Sequence, residues 1–244
     1  MSCDCNSRHG SCDPSETSTP DQGRLKGKSI LVLFEARGCC YAVVVIEHAV
    51  VPSLIYELPS IVERLEMESL FPARQPLEVE LGCGDASFIA EYAKLHAERN
   101  FIGVERLLGR LTKLDKKGRR FGLMNLRGVR IENAYFLEWL LPPHSAATLH
   151  IYFPDPWPKK KHRRHRLINE RFPALAQAAL SPGGCVFLRT DDADYFEQMQ
   201  AVFAASPAFR AVDTPAELAA VLTDFERDFL AQGIPTRRAA YQLR

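Results

Sequence analysis

The chain has 244 residues, 46% of them hydrophobic and 25% charged, and its 31 Lys and Arg nearly balance 30 Asp and Glu. That length suits one large domain or a domain with a small appendage, burying roughly 70–75% of the surface the unfolded chain would expose, so no metal or disulfide staple is needed and disorder of the whole chain is excluded. A formal net charge of +1 argues against a polyanionic partner only as a sum, and a sum can hide opposite poles.

The first residues carry no apolar run after the start and do not read as a secretory signal. No stretch of about 18 apolar residues occurs to span a bilayer; the best candidate, Gly38 to Ile46, is short and bounded by Arg37 and Glu47. The expected compartment is the cytoplasm, with no membrane partner. Five of seven cysteines (Cys3, Cys5, Cys12, Cys39, Cys40) fall early, and Cys83 and Cys185 stand alone. An odd count in a cytosolic chain argues against a disulfide framework. Cys3 and Cys5 are one residue too close for a zinc pair, and the preferred reading of Cys5, His9 and Cys12 is a tail of reduced residues with no metal. Gly23 to Ser29 nearly spells a phosphate loop, but three residues separate its glycines where four are needed, and no strand precedes it. Residues 1–28 read as a polar tail, and 29–76 as an apolar lead-in of open architecture. The domain division expected is a partly disordered segment over 1–50 and a folded domain over 51–244.

From Leu77 the chain alternates short apolar runs with amphipathic stretches. Strands are predicted at Leu77–Leu81, Phe101–Val104, Val129–Ile131, Leu149–Phe153 and Cys185–Leu188. Helices are predicted from about Ala86 to His96, through Leu107, Leu108, Leu111 and Leu114, and around 134–140, 167–180 and 192–205. Such alternation predicts an α/β fold, a doubly wound, mostly parallel sheet with helices on both faces, with ligands outside the carboxyl ends of the strands.

The polar residues just after strands are therefore the site candidates. Glu80-Leu-Gly82-Cys-Gly84-Asp ends the first strand with glycines that permit a tight turn and close backbone approach. Glu105 ends the second, where an acid can grip both ribose hydroxyls. Together they indicate a nucleoside-containing cofactor, either NAD or S-adenosyl-L-methionine. Ser87 stands where the dinucleotide fingerprint wants its last glycine, and Glu80 suits an ammonium better than a pyrophosphate, so the sulfonium cofactor is favoured.

After the fourth strand come Phe153-Pro-Asp155-Pro-Trp157-Pro and then six Lys or Arg and two His in eight residues, Lys159 to Arg166. Three prolines stiffen the backbone and exclude an α-helix, holding Asp155 on a rigid loop. Trp157 offers a flat face for a base or for packing. A cationic run beside a cofactor edge reads as a phosphate patch, comprising Lys160, Lys161, Arg163, Arg164 and Arg166.

These elements, with Ile102-Gly-Val-Glu105, Thr190-Asp191 and Thr223-Asp-Phe-Glu226, make the sequence resemble the bacterial tRNA (guanine-N7)-methyltransferases over about residues 52–244. The resemblance implies a class I S-adenosylmethionine-dependent fold and methylation of guanine N7 in the variable loop of tRNA, at position 46. It places cofactor contacts on Glu80, Glu105, Asn133 and Asp155 with the glycine turn at Gly82 and Gly84. It places substrate contacts on Lys159, Asp191, Thr223, Asp224, Phe225 and Glu226. Because guanine N7 carries no proton, the expected catalytic role of Asp155 is to orient the guanine by accepting from its Watson–Crick edge. Three features depart from the family pattern: Ala86 where a third glycine is usual, Asp224 where a base is frequent, and a first segment unlike the family's basic arm. A methyltransferase acting on another RNA, or a non-catalytic RNA-binding protein of the same fold, remain as alternatives. Net charges of +7 over residues 105–130, +6 over 159–171 and −7 over 190–230 predict a polarised surface with RNA on its basic side.

Overall fold

The structure, a computed structural model, describes residues 29–34, 42–47 and 52–244. The predicted polar tail, the run from Gly23 to Lys28, and Cys3, Cys5, Cys12, Cys39 and Cys40 lie outside the described residues. The chain divides into two compact units, residues 1–50 and 51–244. In the first, strands β1 (Ser29–Phe34) and β2 (Ala42–Glu47) pair antiparallel, with Ser29 opposite Glu47 and Phe34 opposite Ala42.

The second unit is built on eight strands: β3 (Ile55–Tyr56), β4 (Leu77–Leu81), β5 (Asn100–Val104), β6 (Leu126–Val129), β7 (Ala146–Tyr152), β8 (Leu180–Thr190), β9 (Phe209–Val212) and β10 (Arg237–Leu243). Their order is β3-β6-β5-β4-β7-β8-β10-β9. The first six run parallel, and β10 is antiparallel to both β8 and β9. The mostly parallel α/β sheet matches the expected fold class. From β4 the chain proceeds outward through β5 and β6, then returns to lay β7 on the other side of β4. That reversal leaves a crevice at the carboxyl ends of β4 and β7.

The helices are α1 (Met67–Leu70), α2 (Ile89–Leu95), α3 (Leu108–Arg120), α4 (Asn133–Tyr135), α5 (Phe172–Ala179), α6 (Ala193–Ala204), α7 (Ala216–Ala220) and α8 (Asp224–Ala231). A π-helical turn, Phe136–Leu140, continues α4, and a 3-10 helix spans the cationic run Lys160–His165. Each face of the sheet has its own core. On one, Val79, Leu81, Ile102, Val104, Leu149, Ile151, Val186 and Leu188 pack against Phe172, Ala176, Tyr195, Met199 and Phe203 of α5 and α6. On the other, Phe101, Leu126, Tyr152 and Phe187 pack against Ile89, Tyr92, Leu111 and Leu114 of α2 and α3. Close seating of α3 requires glycine beneath it: a Cβ at Gly103 would meet Leu114 Cδ1 at 2.8 Å, and one at Gly128 would meet Leu111 Cδ2 at 2.9 Å.

Three predicted boundaries move for identifiable reasons. α2 begins at Ile89 rather than near Ala86, because residues 82–86 form a turn in which Ala86 has φ +60°. β6 ends at Val129, earlier than the predicted 129–131 strand, since its register follows Phe101–Val104 of β5. α5 starts at Phe172 rather than 167; Asn169 folds the chain locally, donating to the Arg166 carbonyl and accepting from the Arg171 amide, and Pro173 then sets the first turn. Among the described residues no helix is long and apolar enough to cross a membrane, and no group of three or more His, Cys, Asp or Glu is placed to hold a metal ion.

Candidate functional site

The crevice at the chain reversal is a cleft of about 400 Å³. Its walls include Gly82 after β4, Glu105 after β5, Asn133 at the start of α4, Asp155 and Trp157 after β7, and Arg106 and Arg110 at the head of α3. Of the residues predicted to hold a cofactor, Gly82, Glu105, Asn133 and Asp155 thus converge from four strand ends, while Glu80 and Gly84 lie behind the lining. Gly82 and Gly84 have φ of +80° and +54°, which glycine adopts without steric cost. Ala86 completes the turn at φ +60°, so the alanine standing in place of a third glycine is accommodated in the left-handed region at some cost in strain. A side chain at Gly82 would approach Asn133 Nδ2 at 3.5 Å, which keeps that amide facing an open backbone.

Glu105 is buried and tied down by backbone donors: its Oε2 accepts from the Gly84 amide at 3.2 Å and its Oε1 from the Leu107 amide at 2.8 Å. Arg110 lies 3.6 Å away. The carboxylate therefore pins the glycine turn to the start of α3 while retaining lone pairs for the cleft. Glu80 is different. It is 3% exposed, its Oε2 has no hydrogen-bond partner, and burial pushes its carboxyl well above the usual range despite Arg189 and the Ile89 backbone. An orphaned buried oxygen beside a glycine turn is a feature that a donor-bearing ligand would relieve.

The loop after β7 is held under strain. Phe153 and Trp157 have φ of +50° and +45°, in a region costing non-glycine residues of order 1–3 kcal/mol. Two contacts hold it there. The Phe153 amide donates to the Arg189 carbonyl at 2.8 Å, and Arg166 Nε donates to the Pro156 carbonyl at 2.7 Å. The sequence places Arg166 in the phosphate patch; the structure corrects this. Its side chain is 1% exposed and donates to Gln198 at 2.7 Å and Asp194 at 2.6 Å, lying over the Tyr195 ring. Arg166 is the bolt fastening the Asp155 loop to α6. Arg163 also pairs with Asp194, at 2.8 Å. Lys159, Lys160, Lys161 and Arg164 remain exposed, beside Trp157 and its neighbours His162 and His165.

The predicted substrate stretch forms the head of α8. Thr223 caps it, accepting from the Glu226 amide at 3.0 Å, while Glu226 returns the bond to the Thr223 amide at 3.1 Å. Glu226 itself is fully buried, with Arg189 at 2.6 Å on one oxygen and Arg238 at 2.7 Å on the other. Its assignment as a substrate contact is corrected: both oxygens are engaged, and its work is to fix α8. Asp224 is half exposed and pairs with Arg227. Phe225 is 52% exposed and lies 6.0 Å from the ring of Phe153, which lines the cleft. Asp191 is partly exposed at the end of β8, its carbonyl accepting from Arg237 at 2.8 Å.

Arg189 and His150 are parts of this architecture that the sequence does not single out, and Ser87 takes a role there that the sequence does not suggest. Arg189, buried on β8, joins Glu226, the Val221 and Leu218 carbonyls and the Tyr152 ring, 4.1 Å from the guanidinium. Its signal was a lone charge inside Val-Phe-Leu-Arg-Thr. Ser87 accepts from the Asp224 amide at 3.0 Å, linking the glycine turn to α8 across 137 residues. Beneath them His150 bridges Glu78 Oε2 at 2.7 Å and the Tyr152 hydroxyl at 2.8 Å. Burial would raise the Glu78 carboxyl, but His150 and Arg99 outweigh it and leave it below the ordinary value.

Comparison with known proteins places the chain beside methyltransferases. A family model described as "Putative methyltransferase" matches residues 74–239. The tRNA (guanine-N(7)-)-methyltransferase of Syntrophotalea carbinolica is 34% identical over 178 residues, covering 71% of this chain and 77% of that protein. The protein of the same name from Chromohalobacter salexigens is 36% identical over 152 residues, 62% of each chain. Among solved structures, the 16S rRNA methyltransferase KamB superposes with a TM-score of 0.52 at 16% identity, covering 72% of this chain and 91% of that one, a likeness of fold.

Proposed function

The chain belongs to the tRNA (guanine-N7)-methyltransferase family, and from that premise we propose that it transfers a methyl group from S-adenosyl-L-methionine to N7 of a guanine in the variable loop of tRNA. The observation that carries the reading is the convergence of Gly82, Glu105, Asn133 and Asp155 on one cleft, bordered by the cationic loop. The cytoplasm, where tRNA is found, is the compartment this activity requires.

Bound in the cleft, the cofactor supplies an electrophilic methyl on a sulfonium. Glu80 offers its orphaned Oε2 to the ammonium of the methionine end, and Glu105 and Asn133 face the ribose and base end. The glycine turn lets the backbone approach without a Cβ in the way. Guanine N7 presents a lone pair and carries no proton, so the chain needs no general base. The task left to its residues is placement, and well-oriented groups reach effective molarities of about 10⁵–10⁸ M. Asp155, on its strained and bolted loop, accepts hydrogen bonds from the donors on the Watson–Crick edge of guanine and so aims N7 into the cleft. Phe225 and Trp157 provide faces on which the base can stack, while Lys159, Lys160, Lys161 and Arg164 hold phosphates without reading sequence.

The test is incubation with methyl-labelled S-adenosylmethionine and bulk tRNA, followed by nucleoside analysis and mapping. Label in 7-methylguanosine within the variable loop supports the assignment. Label confined to another nucleoside, or to ribosomal RNA, rejects it.

A further inference from the structure

The described residues hold a second concentration of positive charge that the chemistry of the cleft does not use. α3 carries six cations, Arg110, Lys113, Lys116, Lys117, Arg119 and Arg120, against one acid, Asp115. At 3.6 residues per turn, Arg110, Lys113, Lys117 and Arg120 fall within an arc of about 80° along roughly 15 Å of axis. Arg106, one turn ahead, carries the row to the cleft, whose wall it shares with Arg110. The row cannot rotate away, because Leu111 and Leu114 are fully buried beneath the helix. At its far end Arg120 and Lys94 both lie over the Phe121 ring, 5.2 and 4.9 Å from its centroid.

Such a row works against its own helix. Like charges three and four residues apart repel, and cations in the first turn oppose the helix dipole. The acids nearby do not neutralise it. Glu105 faces only Arg110, at 3.6 Å, and is otherwise occupied by backbone amides, and Asp115 accepts from the Ser53 hydroxyl and Leu54 amide while facing Arg119 at 3.5 Å. Among the described residues, Lys113, Lys116, Lys117 and Arg120 have no ion-pair partner. Sheet order adds a direction: α3 flanks β5 and β6, whereas the acidic stretch of residues 190–230 lies around β8, β10 and β9 on the other half. A polyanion entering the cleft is repelled from one flank and drawn along the other.

We propose that α3 is a second docking surface for RNA, on which the phosphodiester backbone of the tRNA flanking the target guanine lies as it leads away from the cleft. The proposal rests on the tRNA reading above. A linear row of cations, spaced a helical turn apart with no acid between them, fits a chain of phosphates better than a folded acidic protein.

The test is the triple variant Lys113→Gln, Lys117→Gln, Arg120→Gln, with labelled bulk tRNA titrated at several salt concentrations. Affinity should fall about tenfold or more at 0.1 M salt, and the log–log salt slope should shrink by about 3. Cofactor affinity should hold, and the melting midpoint should hold or rise as repulsion is relieved. Unchanged tRNA affinity and slope in the folded variant would overturn the proposal, as would an equal loss for duplex DNA. Failure of the functional reading is distinguishable: tRNA binding that depends on α3 without transfer to any guanine keeps the surface and discards the reaction.

Discussion

Glu80 at the end of β4 and Glu226 in the first turn of α8 are both buried glutamates, and their surroundings are opposites. Glu226 has two arginines and a backbone amide on its oxygens. Glu80 leaves Oε2 without a partner and is pushed up by burial. Desolvating a carboxylate is unfavourable in either place, and pairing offsets it only where the bonds are complete. The region around Glu226 is thus finished as it stands, a scaffold that fixes α8 against β8 and β10. The region around Glu80 is left with an unpartnered oxygen, which the proposed function fills with the cofactor's ammonium. On the proposed function, stability and binding fall to separate carboxylates within one sheet.

The largest effect that could break this contrast is on the scaffold side. Glu226→Ala would strand Arg189 in the interior, and loss of one partner of a buried pair costs about 3–5 kcal/mol. A matching drop in unfolding free energy is expected in urea titrations, and a change below about 1 kcal/mol would put Glu226 among surface residues. Next is Glu80→Gln, which removes a charge-assisted bond of about 1.5–3 kcal/mol to a cationic donor. Cofactor affinity measured by calorimetry should fall roughly 10- to 150-fold while the apo protein gains stability at neutral pH. The pH dependence has a definite sign. A carboxyl raised in the folded state contributes stability that is intact below its ordinary range and lost as pH climbs toward the folded value. The advantage of the glutamine variant over wild type should therefore grow from roughly pH 4 upward; an advantage that shrinks would mean Glu80 is paired.

Smaller effects sharpen the picture of the turn between them. Ala86→Gly should stabilise by about 1 kcal/mol in thermal melts, since φ +60° strains alanine and suits glycine. Ser87→Ala removes the acceptor for the Asp224 amide and should cost about 0.5–1.5 kcal/mol. A neutral result at Ser87 would uncouple the glycine turn from α8.

Much of the sheet was legible because its strands are short apolar runs ending in polar residues. The alternation from Leu77 onward marked the parallel core, and Glu80 stood out near the end of its strand and Glu105 and Asp155 just after theirs. What could not be read depended on distant partners. Leu-Glu-Val-Glu-Leu scans as a half-exposed strand, yet all five residues are buried, because His150, 72 residues on, receives Glu78. The run from Lys159 to Arg166 scans as uniformly cationic surface, yet Arg166 turns inward to Asp194 on a helix 28 residues away. Glu226 was visible as part of a motif, but its burial depends on Arg189 and Arg238, which spacing along the chain does not bring together.

In the proposed mechanism the cleft transfers methyl by placing guanine, with Asp155 as the residue that aims it. Single-turnover transfer by wild type and Asp155→Asn, at saturating cofactor and tRNA, tests it most directly. A misplaced reacting atom costs about 100-fold, so the variant's rate should fall by at least that factor while both ligands bind normally. A variant that transfers methyl at the wild-type rate would contradict the claim.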